Sequence, residues 1–236
     1  MALALFDLDE TLIAGDSASL WLEYMVAEQL APAGMVAEEQ GMMSLYHQGK
    51  MDMHQYMAFT LQPLAGKSRQ WLNQQCHHFA EQVLRERLYP EGLARIEWHR
   101  ERGDELVLIS ASGEHLVAPM AKMLGMDHCV AILLDEEEGM LTGQTRGTLS
   151  FREGTVTRIN QLFAGRDNLW QGSFGYSDSH NDLPMLRAVT NPHGVNPAPA
   201  LRQCASALGW PVPRTPAAPR PAASHAGPQR ASMAVG

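Results

Sequence analysis

Short apolar runs at residues 2–6, 105–109, 129–134 and 172–176 alternate along the chain with longer stretches whose apolar positions recur at helical spacing. A run of four to six residues with no polar alternation predicts a strand buried on both faces, as in a parallel sheet. Helices are predicted over 92–102, 114–124, 153–163, 183–189 and 199–208, with a brief strand near Gly194 and Val195 and a short β excursion at 140–146. Strand alternating with helix implies a doubly wound α/β fold with a mainly parallel sheet. Residues 17–87 break the alternation. Leu20, Trp21, Tyr24 and Met25 sit at helical spacing after Asp16 or Ser17 as N-cap, and further helical pieces follow at 32–48, 52–61 and 68–87, punctuated by Gly49, Pro63 and Gly66. A block of helices between two βα units is the expected form of an inserted cap domain. The organisation read from the pattern is an α/β core at 1–16 and 88–210, a helical cap at 17–87, and a Pro/Ala-rich tail at 211–236 too poor in large apolar residues to order itself.

Polar residues cluster where strands end. Asp7 and Asp9 follow the first run, Ser110 the second, and Asp178 and Asp182 the fourth. In an open parallel sheet these ends share one edge, the edge at which ligands bind. Two carboxylates at i and i+2 there can hold a divalent cation or divide the roles of nucleophile and general acid/base. Methionines are dense in the cap, at Met42, Met43, Met51, Met53 and Met57; core packing is the favoured reading, with a substrate-facing subset.

Composition narrows the partners. The 236 residues carry a formal charge of -8 and three lysines, Lys50, Lys67 and Lys122, which argues against a nucleic-acid surface. Cys76, Cys129 and Cys204 are odd in number and widely spaced, and read as free thiols. No segment has the length of a membrane span, so a soluble cytoplasmic protein is expected, with no membrane partner. The ten histidines show no H-x-x-x-H or H-x-H spacing and suggest no zinc site.

The D-x-D-x-T segment at 7–11, the apolar run ending in Ser110, the S-D-x-x-x-D segment at 177–182 and the helical insertion between the first two together resemble the haloacid dehalogenase superfamily, in its phosphoserine-phosphatase-like branch (subfamily IB). The resemblance spans residues 1 to about 209. It implies that Asp7 is the nucleophile, forming an aspartyl-phosphate, and that Asp9 protonates the leaving oxygen and later activates water. It implies one Mg2+ held by Asp7, the Asp9 main-chain carbonyl and Asp178, with Asp182 behind. Ser110 and the Ala111 amide would bind the phosphoryl oxygens of a small phosphorylated metabolite, while Thr11 either braces the turn or acts directly.

One expected residue is missing. Such families place a lysine at the start of the helix before the fourth strand, and here that position is Thr155. Arg158 or Arg152 is expected to reach in as a substitute, although guanidinium and ammonium are not interchangeable. The alternative is a protein that keeps the fold and has lost turnover. Asp16, nine residues after Asp7, matches an acidic position that takes the substrate ammonium in phosphoserine-type relatives, or it caps the first cap helix. No arginine lies between Ser17 and Gly66, so a carboxylate clamp is not evident, which shifts the expectation from phosphoserine toward an amino-alcohol phosphate such as histidinol phosphate.

Overall fold

A computed structural model describes residues 1–212. The expected tail falls almost entirely outside the described residues. Six strands form one sheet, β1 (Leu3–Asp7), β2 (Glu105–Gly113), β3 (His128–Glu137), β4 (Met140–Arg146), β5 (Phe174–Ser177) and β6 (Asn191–Gly194), in the order β4-β3-β2-β1-β5-β6. Every adjacent pair is parallel except β3 and β4, which form an antiparallel hairpin at one edge. Its turn places Glu138 and Gly139 both at positive φ, the backbone a tight two-residue hairpin requires.

β1 is central and wholly buried. Its alternate residues serve two cores, as strand geometry demands. Leu3 and Leu5 pack with Val107, Ile109 and Val130 against α7 (Glu153–Leu162), α8 (Leu183–Ala188) and α9 (Pro199–Leu208) through Ile159, Met185 and Leu201. Ala4 and Phe6 face the other way, toward α5 (Pro90–Glu101) and α6 (Glu114–Met123), through Ile96, Leu116 and Met120. Successive strands run outward from β1 on one side to β2 and β3 and return on the other to β5 and β6. The order therefore reverses beside β1, at the sheet edge that ends in Asp7.

The second core continues into the inserted helices α1 (Ser17–Ala27), α2 (Gly34–His47), α3 (Met53–Leu61) and α4 (Arg69–Phe79). Met25, Met35, Met51, Met53 and Met57 are buried in it, while Met43 is only partly buried. Residues 68–87 are not the single helix their pattern suggests. After α4 the chain widens into a π-helical turn at Ala80–Leu84 and tightens into a 3-10 turn at Arg85–Arg87. Ala80 and Leu84 stay buried through this change, and it delivers Arg87 and Tyr89 to the outgoing linker, where Ala14 N–H donates to the Arg87 carbonyl and Tyr89 N–H to that of Leu12. The two linkers thus pair with each other. The far end of the cap also pairs with the hairpin, through Leu141 N–H to the Lys67 carbonyl and Gly66 N–H to that of Leu141.

Candidate active site

β1 delivers Asp7 at its last position, and the tight turn after it presents Asp9 and Thr11. Thr11 Oγ1 donates to Asp7 Oδ2 at 2.9 Å and accepts the main-chain N–H of Asp178 at 3.0 Å, so one hydroxyl ties the end of β1 to the loop after β5. Asp182 accepts from Ser177 Oγ at 2.7 Å and is held to the root of the same loop.

Asp9 is held more tightly. Its Oδ1 accepts from the Ser17 N–H at 2.6 Å, and its Oδ2 accepts from Ser110 Oγ and Ser112 Oγ, both at 3.0 Å. The serines serve the same oxygen because β2 runs on to Gly113 instead of ending at Ile109, so positions 110 and 112 share a face. Ser110 also accepts the Ser112 N–H, and its hydroxyl is directed at Asp9.

Burial and crowding of the carboxylates shape the electrostatics. Asp7 is pushed well above the usual carboxylate range by burial first and then by Asp182, Asp178 and Asp9, against the single opposing hydrogen bond from Thr11. Asp178 is raised well above it too, by burial and by Asp182 and Glu10. Burial also raises Asp9, against its serine donors, and brings Asp182 to about 6. Asp16 rises to about 8, from burial and then from the charge of Asp9.

These groups open onto a cavity of about 560 Å3 between core and cap. The core contributes Asp7, Asp9, Glu10, Asp178 and Asp182 to its wall, and the cap contributes Asp16, Glu23 and Glu39. Among the described residues, His47 and His180 are the only basic side chains lining it, and no lysine or arginine does. Among the described residues no three His, Cys, Asp or Glu side chains are arranged to hold a metal ion by themselves. The implied Mg2+ set differs, since it uses two carboxylates and a main-chain carbonyl. Hard oxygen donors whose mutual repulsion lifts their own pKa values suit that ion.

The sequence-derived candidates separate here. Asp7, Asp9, Asp178, Asp182, Asp16 and Ala111 all line the cavity. Asp16 is also the N-cap of α1, accepting the Ser19 N–H at 2.9 Å. Arg158 does not reach in, contrary to expectation. Its Nη1 donates to the carbonyls of Ala131 on β3 and Thr148 before α7, which keeps the guanidinium away from Asp7. Thr155 is 2 % exposed in the first turn of α7 and contributes nothing to the cavity wall. Arg152 lies closer, donating to Asn181 Oδ1 at 3.2 Å and to the Gly49 carbonyl, so it joins the Asp178–Asp182 loop to the cap. Gly49 is needed there: its φ is +69°, and a Cβ would stand 2.7 Å from His180 Nε2. Ser112, Ser17, Glu39 and Tyr46 were not foreseen. Ser112 could have been, from its place two residues after Ser110 on a strand, whereas nothing local marks Glu39.

The family described as haloacid dehalogenase-like hydrolase matches residues 4–187, more than three quarters of the chain. The chain belongs to the haloacid dehalogenase-like hydrolases. Within that family it is 34 % identical over 215 residues to a histidinol-phosphatase of Neisseria meningitidis serogroup C, a match covering 89 % of this chain and 97 % of that one. A crystal structure of a protein of unknown function from Bordetella pertussis Tohama I superposes with a TM-score of 0.82 at 35 % identity, over 90 % of this chain and 98 % of that one. A structure described as a phospho-aspartyl intermediate analogue of phosphoserine phosphatase shares the fold, at TM-score 0.63 and 18 % identity over 86 % and 90 % of the two chains.

Proposed function

We propose that this hydrolase is a Mg2+-dependent phosphomonoesterase working through an aspartyl-phosphate on a small phosphorylated metabolite of the histidinol phosphate or phosphoserine type. The observation that carries the reading is the contrast between Asp7 and Asp9. Asp7 has one hydroxyl partner and an oxygen left for attack, whereas Asp9 is fixed by a main-chain N–H and two serines. A nucleophile needs a free lone pair, and a general acid needs a fixed position and a proton at working pH. Burial raises Asp9, which favours that proton; it also raises Asp7 well above the usual range, so Asp7 would need bound Mg2+ to stand ionised for attack. Asp7 attacks phosphorus, Asp9 gives its proton to the leaving oxygen, and Asp9 then takes a proton from the water that opens the acyl phosphate. Bound Mg2+, held by Asp7, Asp178 and the Asp9 carbonyl, supplies the positive charge that lets a carboxylate approach a phosphate dianion. Ala111 lines the cavity, and its main-chain N–H would serve the phosphoryl oxygens.

The acidic wall, to which no lysine or arginine among the described residues contributes, favours an amino-alcohol phosphate over phosphoserine, whose carboxylate would meet none of their guanidinium groups. The name of the Neisseria relative supports the same direction. A second reading rests on Thr155, which cannot supply the positive charge expected beside the nucleophile; the chain would then bind the ligand with much weakened turnover. Phosphate release from histidinol phosphate and phosphoserine, measured with Mg2+ and with chelator, tests the main reading. Release that needs Mg2+, prefers histidinol phosphate and disappears in Asp7→Asn is expected. Release surviving Asp7→Asn or chelation overturns it.

A further inference from the structure

On the cap side of the cavity, Glu39 of α2 is 2 % exposed and yet forms part of the wall. Its Oε1 accepts two hydroxyl donors, Ser19 Oγ at 2.7 Å and Tyr56 Oη at 3.0 Å. Among the described residues no donor reaches Oε2, and no Lys, Arg or His forms an ion pair with Glu39. A carboxylate taken out of water without a cation is costly, and the described residues offer none to offset it. Asp16 stands on the same side of the cavity, joined through Ser19, whose N–H donates to Asp16 while its hydroxyl donates to Glu39. Beside them Met43 and Tyr46 line the same cavity. Thioethers and phenol rings accommodate an organic body, and the ring faces attract a positive charge.

We propose that Glu39 is the specificity-determining residue of this site: its free oxygen, with Asp16, takes the cationic group of an amino-alcohol phosphate, and the cavity wall at Met43 and Tyr46 takes the organic body. The Glu39 carboxylate repels a substrate that carries its own carboxylate beside the amine. Ser19 and Tyr56 are positioning residues that aim the free oxygen at the cavity. The assignment rests on the phosphomonoesterase reading for where the phosphate lies, but recognition of the cation can be measured without turnover.

Calorimetric titration of the full chain with L-histidinol and with L-histidine is the direct test, because the two differ by a carboxylate. Histidinol is expected to bind at least about tenfold more tightly, and Glu39→Gln to weaken histidinol binding about tenfold, the scale of one charge-assisted hydrogen bond. In turnover, Glu39→Gln is expected to lower the ratio of kcat/KM for histidinol phosphate to that for p-nitrophenyl phosphate by a similar factor, mainly through KM. Equal affinity for histidinol and histidine, or a Gln variant that keeps both its affinity and its ratio, overturns the assignment. Should the variant not fold, the ligand pair on the native chain decides alone. Glu39-dependent histidinol binding by a chain that releases no phosphate leaves the cation site standing and removes the hydrolase reading.

Discussion

At the sheet edge, Asp7, Asp9, Asp178 and Asp182 reach the cavity from strand ends and the turns that follow them, whereas on the cap side Asp16 reaches it from the N-cap of α1 and Glu39 from α2. The core acids lie close enough to raise one another's pKa values, and Thr11, Ser110, Ser112 and Ser177 hold them in register. The cap acids are spread over two helices and anchored by Ser19 and Tyr56. Crowded carboxylates suit a divalent cation and a transferring phosphoryl group. Spread ones suit an organic cation a few ångströms across. One cavity thus divides reaction from recognition between sheet and cap, with Asp16, raised by both Asp9 and Glu39, standing where the two sides meet.

The largest effect is expected at the centre of the core side. Asp7→Asn keeps the shape of the strand end and removes the attacking oxygen, so phosphate release should fall by about ten-thousandfold or more, while histidinol affinity in calorimetry changes little because the cap carboxylates remain. Thr155→Lys sharpens the comparison from the other direction. An ammonium reaching Asp7 from α7 should raise the rate by up to about a thousandfold, and burying it should lower Tm. No gain in rate would mean that this chain meets its charge requirement without that position.

Ser112→Ala removes one of the two hydroxyls on Asp9 Oδ2 and leaves Ser110 in place. A fall in kcat of roughly tenfold is expected, since a hydrogen bond to a charged group contributes about 1.5–3 kcal/mol and Asp9 retains two others. A bystander serine would leave the pH–rate profile where it was; a positioning one should shift the limb that reports Asp9, upward because a donor to the charged form has gone.

The smallest effect belongs to the cap and is read in stability. Asp16 titrates near 8 in the folded chain against an ordinary value of 3.8, chiefly because it is buried. Between those values the folded chain holds a proton that the unfolded chain has released, so Asp16 lowers stability progressively as pH rises through about 4 to 8. Asp16→Asn keeps an N-cap acceptor and removes that titration. Without divalent cation, the variant should melt a few degrees above the parent at pH 8, with the difference closing toward pH 5. An unchanged pH dependence of Tm would place the strain entirely among the core acids.

Much of this was legible along the chain, for reasons that differ by residue. Asp7, Asp9 and Asp178 are marked by the apolar runs before them, because a strand's direction and its carboxyl end are local properties. Ser110 was legible as a residue near the site; its partner was not. Only the continuation of β2 past Ile109, with its register shift against β3, turns Ser110 and Ser112 together onto Asp9. Asp16 read equally well as a helix cap or as a ligand of the substrate, and it both caps α1 and lines the cavity. The stretch at 68–87 looked like one helix because its helical propensity is continuous, while the need to return to the core linker changes its winding after Phe79.

By itself the sequence determined the α/β architecture with helices inserted after β1, the acids at the strand ends and the absence of a lysine at position 155, since each depends only on local period, propensity and residue identity. The tertiary structure decided which side chains meet. It turned Arg158 away to the carbonyls of Ala131 and Thr148, set Ser17 of the cap on Asp9 of the core, and brought Glu39 to the cavity with one oxygen free. Those outcomes depend on how each helix is rotated as it packs, and that rotation is set by contacts with residues far away in the chain.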